Sequence, residues 1–85
     1  MSQVVGEFVA YSEEEMAEMG LYGYMIPKDK KLNQYTVSIA PEGIKPVDGS
    51  IVIAEITYYP DQEDPKRMEG IVKQVIGHKN EREKE

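Results

Sequence analysis

A small all-β barrel of five short strands, with a charged insert after the first strand, is the fold this sequence predicts. Three observations predict it. Apolar and β-branched residues gather in runs of six to ten positions separated by turn signals. No stretch keeps helical apolar spacing over the roughly 12–15 positions that an independent helix needs. The chain has 85 residues and 40% hydrophobic content, enough for one compact core and too little for two. An open sheet of five strands leaves two edges exposed to other chains, and closing it into a barrel removes them.

The elements follow in order. Gln3–Tyr11, "QVVGEFVAY", reads as a first strand that Gly6 breaks early. "SEEEMAEMG" places Glu15 three residues after Ser12, the spacing of a capping box, and ends at Gly20, so it is either a helical turn or two or a charged loop. Leu21–Ile26 is a second strand closed by Pro27, and Tyr35–Ala40 a third closed by Pro41. Asp48-Gly49 marks a tight turn. Ser50–Tyr59 is the strongest strand, β-branched at Ile51, Val52, Ile53, Ile56 and Thr57. Met68–Ile76 is the fifth; its alternation is imperfect and points to a bulge at Gly70. Residues 1–78 form the predicted domain, and 79–85 a charged tail or linker. Five strands in so short a chain fit an OB-fold best, with an SH3-like barrel as the competitor.

Composition narrows the function. There is no cysteine, hence no disulfide, thiolate nucleophile or thiolate metal site. The single histidine, His78, reads as an exposed bystander, and the carboxylates of Glu13, Glu14, Glu15 and Glu18 as a solvated face rather than metal ligands. No serine stands beside a base in a recognisable nucleophile pattern. The expectation is therefore a non-catalytic chain without metal or other cofactor. No run approaches the roughly 20 apolar residues that span a bilayer. The start of the chain also lacks the basic stretch of a signal peptide, so a cytoplasmic location is expected.

The net charge of −6 opposes nucleic acid on average. Its distribution is uneven, however: acid concentrates in "SEEEMAE", whereas "PKDKK" is a local basic patch. That patch follows Tyr22 and Tyr24, which alternation puts on one outward face while Leu21, Gly23 and Met25 turn inward. Outward aromatic rings beside Lys28, Lys30 and Lys31 provide surfaces for bases and cations for phosphates, the needs of single-stranded RNA. Tyr35 either extends this platform or packs, and Tyr58 and Tyr59 are read as structural. The other reading is a protein-docking or structural module. The fourth strand is apolar on both sides, with Ile51 and Ile53 opposite Val52, Ala54 and Ile56, which suits contact with a neighbouring domain.

The motifs "YGYMIPKDKKL", "TVSIAP", "DGSIVIAEIT" and "EGIVKQVIGHKN", taken in order, resemble a cold-shock-type OB domain of the ribonuclease II/R family of bacterial 3′-to-5′ exoribonucleases. The similarity is greatest to the second such domain of the ribonuclease R type and runs from about Gly6 to Asn80. It implies a module that guides RNA to a metal-dependent catalytic domain that this chain lacks, within a larger parent whose other domains are its neighbours. Tyr22 and Tyr24 match the two aromatic positions of the family's first RNA-binding motif. In two places the sequence departs from that pattern: Ser38 stands where the second motif carries an aromatic, and Ser12–Met19 lengthens the first connection with acid. Both weaken binding, so sequence-tolerant association with a dissociation constant of ~10–100 μM is expected. A free-standing cold-shock RNA chaperone is the remaining alternative, disfavoured by the acidic charge.

Overall fold

The structure is a computed structural model that describes residues 2–80. Five strands, β1 (Gln3–Ala10), β2 (Gly23–Pro27), β3 (Val37–Gly43), β4 (Ser50–Tyr58) and β5 (Glu69–His78), and one helix, α1 (Glu13–Met19), follow one another as β1-α1-β2-β3-β4-β5. The strands close into a barrel in the order β1-β2-β3-β5-β4. Four of the five pairings are antiparallel, and the parallel pair β3–β5 is the closing contact. This is the all-β, OB-type barrel expected from the sequence.

The first strand divides its length between its two partners. Gln3–Glu7 pairs with β4 and Gly6–Ala10 with β2, so Gly6 lies opposite both Val52 and Pro27. Gly6 therefore marks an exchange of partners within β1, not the break that a glycine early in a strand leads one to expect. Alternation turns Val4, Phe8, Met25, Val37, Ile39, Val52, Ala54, Ile56, Met68 and Val72 into one buried cluster. Ser50 is buried with them, and its hydroxyl donates to the carbonyl of Val47 at 2.7 Å, so no polar cost remains.

The helix forms for local reasons. Ser12 Oγ accepts the backbone N–H of Glu15 at 3.1 Å, while Glu15 Oε1 accepts that of Ser12 at 2.9 Å, completing the capping box. Acid in its first turn matches the positive end of the helix dipole, and Gly20 closes it in the left-handed region. None of its residues is buried. Of the two forms open to this insert, the helix is the one adopted.

Several boundaries differ from expectation: β2 runs over Gly23–Pro27, with Pro27 inside it, where Leu21–Ile26 was expected; β1 and β4 each end one residue earlier and β5 begins one later. Pro41 lies inside β3 because the ladder to β5 is irregular between Ile39 and Gly43, so no regular partner requires a proline N–H there. Tyr35 precedes β3, its N–H bonded to the carbonyl of Leu32 in the preceding loop. The fifth strand extends through Gly77 and His78, which pair with Ile51 and Ser50. Its register against β4 shifts three times, one shift adjoining Gly70, and this is why its alternation is imperfect in sequence. Of the expected tail, residues 81–85 lie outside the described residues.

Tyr58 and its loop have a structural role. The Tyr58 hydroxyl donates to Asp61 Oδ2 at 2.9 Å, and the Arg67 guanidinium stacks 3.8 Å from the Tyr58 ring centroid. Asp61 Oδ1 accepts the backbone N–H groups of Glu63 and Asp64. The hydrogen bond from Asp64, then that from Tyr58, holds the Asp61 carboxyl below its ordinary value of 3.8. A group lowered in the folded state stabilises fully above that ordinary value and loses its effect as pH falls through the lower folded one. Carboxyl-carbon NMR is expected to show Asp61 titrating below 3.8, with the amides of Glu63 and Asp64 moving in step. Independent titration of those amides would disprove the coupling.

Candidate nucleic-acid interface

The outward side chains of β1 and β2 build the candidate surface. Because Phe8 and Gly23 turn inward, Val9 and Tyr24 turn outward as direct cross-strand partners. The pairing continues past both strand ends, where the Tyr11 N–H donates to the Tyr22 carbonyl at 3.1 Å. Tyr11 thereby becomes the diagonal neighbour of Tyr24. Their ring centroids are 5.8 Å apart and tilted by 51°, within the range of favourable aromatic pairs. On the other flank Ser38 of β3 lies directly opposite Tyr24, half-buried.

Gly23 makes this arrangement possible. A Cβ at that position would lie 2.2 Å from the Val9 carbonyl oxygen and 2.9 Å from Phe8 Cζ. Without a side chain, the Phe8 ring fills the barrel beneath the tyrosines and β2 stays close against β1.

Tyr22 and Tyr24 have different surroundings. Tyr22 is half-buried against the edge of the core, and the Lys45 ammonium lies 5.7 Å from its ring centroid. The ring that meets Tyr24 is that of Tyr11. Burial, then the Glu15 carboxylate, raises the Tyr11 hydroxyl above its ordinary 10.0, so it stays protonated and can donate a hydrogen bond. Tyr35 is half-buried and packed on the core. Lys30 and Lys31 are exposed in the β2–β3 loop, where Asp29 Oδ1 accepts the Lys31 N–H at 2.9 Å. Lys28 lies beyond β2 with its N–H bonded to the Val5 carbonyl, continuing the outward line of Tyr24 and Ile26.

The cold shock domain family (CSD2) matches residues 24–85. The chain belongs to that family. It is also similar to Ribonuclease R 1 of Lactococcus lactis subsp. lactis (strain IL1403), with 44% identity over 75 residues. Those residues make up 88% of this chain but 9% of the relative, so the chain spans about a tenth of that protein's length. A cold shock domain is a non-catalytic, nucleic-acid-binding module, in agreement with the non-enzymatic reading of the sequence. The family match begins at Tyr24, so the acidic helix of this cold shock domain lies outside it.

Among the described residues no three His, Asp or Glu side chains are placed to hold a metal ion, and no helix is long and apolar enough to cross a membrane. Sequence reasoning missed two members of the surface. Tyr11 is brought to Tyr24 by pairing across a ten-residue connection, and the signal for it was an aromatic at each end of that connection. Lys45 comes from the β3–β4 loop, where sequence carried no sign of the ring it covers.

Proposed function

We propose that this cold shock domain binds single-stranded RNA weakly and with little sequence preference. Bases stack on Tyr24 and Tyr11, and Lys28, Lys30, Lys31 and Lys45 attract the phosphates. Tyr22 and Tyr35 are half-buried rings packed on the core. The observation that carries this reading is the outward Tyr11–Tyr24 pair beside a small Ser38, a surface wide enough for flat bases. The similarity to a ribonuclease R supports placing the domain in a larger 3′-to-5′ exoribonuclease of the cytoplasm, where it guides RNA toward a separate catalytic domain.

Titrating the isotope-labelled chain with oligo-U, at low and moderate salt, tests the binding. Amide shifts are expected at Tyr11, from Tyr22 to Ile26 and from Val37 to Ile39. Saturation is expected at ~10–100 μM, with log affinity falling by about 0.7 per phosphate contact for each unit of log salt. Absence of shifts at low salt and millimolar RNA would remove the proposal.

One observation favours protein docking as a second reading. Val5, Ile26, Val75 and Ile76 are exposed on the outside of the barrel, although Ile51 and Ile53 of the apolar fourth strand are half-buried. Docking through such a face responds little to salt.

A further inference from the structure

The outward line of β2 does not end at the tyrosines. It passes Ile26 and reaches Lys28, which lies about 13 Å from Tyr24 at the rise of a β-strand. There Lys28, Ile51, His78 and Lys79 enclose a cavity of ≈ 360 Å³ open to solvent. Since a water occupies about 30 Å³ in the liquid, a phosphate group fits there with several waters. We propose that this pocket is a phosphate subsite for the RNA backbone, receiving the strand after it leaves the tyrosine pair. The proposal rests on the RNA-binding reading above and extends the site to residues outside the tyrosine platform.

Charge selects the ligand. Lys79 Nζ lies 3.5 Å from Glu7 Oε2, while Lys28 makes no ion pair among the described residues. Two lysines and one carboxylate leave a single positive charge, which matches the one negative charge of each backbone phosphate. A phosphate monoester, at −1.5 to −2, is matched less well. The field along the line has the same sense. Glu13, Glu14, Glu15 and Glu18 of α1 flank the Tyr11 end, and the lysines occupy the far end, so a polyanion is drawn from the rings toward the pocket.

The wall is built in advance. His78 Nδ1 accepts the Asn80 N–H at 3.2 Å, which leaves the proton on Nε2 to be donated to the Asp48 carbonyl at 2.9 Å. The ring lies against Gly49, whose φ of 86° favours glycine and where a Cβ would come within 2.9 Å of His78 Nε2. His78 is thus a positioning residue. It fixes the β5 end that carries Lys79, whose own N–H donates to the Gly49 carbonyl at 2.9 Å.

The test uses the 85-residue chain with oligo-U and inorganic phosphate as separate probes, followed by amide NMR. Oligo-U is expected to shift Ile51, Gly77, His78 and Lys79 together with Tyr24, while inorganic phosphate at equal concentration leaves them in place. Lys28→Gln is expected to reduce the salt slope by about 0.7, the loss of one phosphate contact on a single strand. Glu7→Gln frees Lys79 and is expected to strengthen binding by about two- to fivefold, the scale of an exposed ion pair. Glu63→Gln removes the same charge in the β4–β5 loop and is expected to change affinity less. If Tyr11 and Tyr24 respond while the pocket stays silent and Glu7→Gln behaves like Glu63→Gln, the subsite is wrong and the proposed function stands. Silence at both places refutes both. Equal response to inorganic phosphate overturns the RNA assignment in favour of a free-anion site.

Discussion

Phe8→Ala is expected to remove a large share of the barrel's stability, about 3–5 kcal/mol, and to lower its urea midpoint steeply. Phe8 is completely buried on β1, opposite Met25 of β2, and its ring packs against Gly23. Truncating a buried Phe to Ala costs about 3–5 kcal/mol. At about 0.05–0.15 kcal/mol per residue, a chain of this length has roughly 4–13 kcal/mol in total. The loss therefore takes a large share of the stability, or nearly all of it at the lower end. Neighbours cannot readily close the gap, because Val4, Met25 and Val52 are held on strands whose hydrogen-bond registers are fixed. Urea unfolding followed by tyrosine fluorescence checks this. The midpoint should fall steeply with the slope unchanged. Ile76→Ala, at a position 49% exposed, should change stability by less than about 0.5 kcal/mol. A loss below about 1 kcal/mol for Phe8→Ala would mean that the barrel can collapse around the cavity.

What the sequence revealed and what it hid divide by the range of the interaction. The fourth strand was legible because Ile51–Thr57 carries its β preference in its own residues. The Ser12–Glu15 box was legible because both of its bonds span three residues, although the same information left helix and loop equally open. Tyr11 was hidden because its role depends on the register of β1 against β2, which is set across an intervening helix. His78 looked like an idle terminal residue because its partner, Asp48, is thirty residues earlier and meets it only when β4 and β5 pair. Pro41 misled because a proline stops a strand only where its N–H would be used, and the local irregularity of β3–β5 is not written in "SIAPEG". Tyr22 and Tyr24 stand two apart, yet Tyr22 precedes β2 with its ring packed on the edge of the core, whereas Tyr24 lies within β2 beside Tyr11.

Tyr24→Ala is expected to weaken binding of oligo-U roughly 5- to 150-fold, the loss of one stacked base at about 1–3 kcal/mol. The barrel should survive the change, since Tyr24 projects outward from β2 and is only half-buried, while Met25 and Gly23 supply that strand's inward contacts. From a starting affinity of ~10–100 μM, the variant falls to between about 50 μM and about 15 mM, so NMR titration up to high RNA concentration is the suitable measurement. Tyr11→Ala should cost less than Tyr24→Ala. Tyr11 is at the rim, where Glu15 repels phosphate and offsets part of what the ring contributes. Tyr24→Phe separates stacking from hydrogen bonding, because it keeps the ring and removes only the hydroxyl. Binding within about twofold of the parent assigns the effect to the ring face. If Phe loses as much as Ala, the hydroxyl holds the RNA, and Tyr24 acts as a hydrogen-bonding group on a base edge or a phosphate.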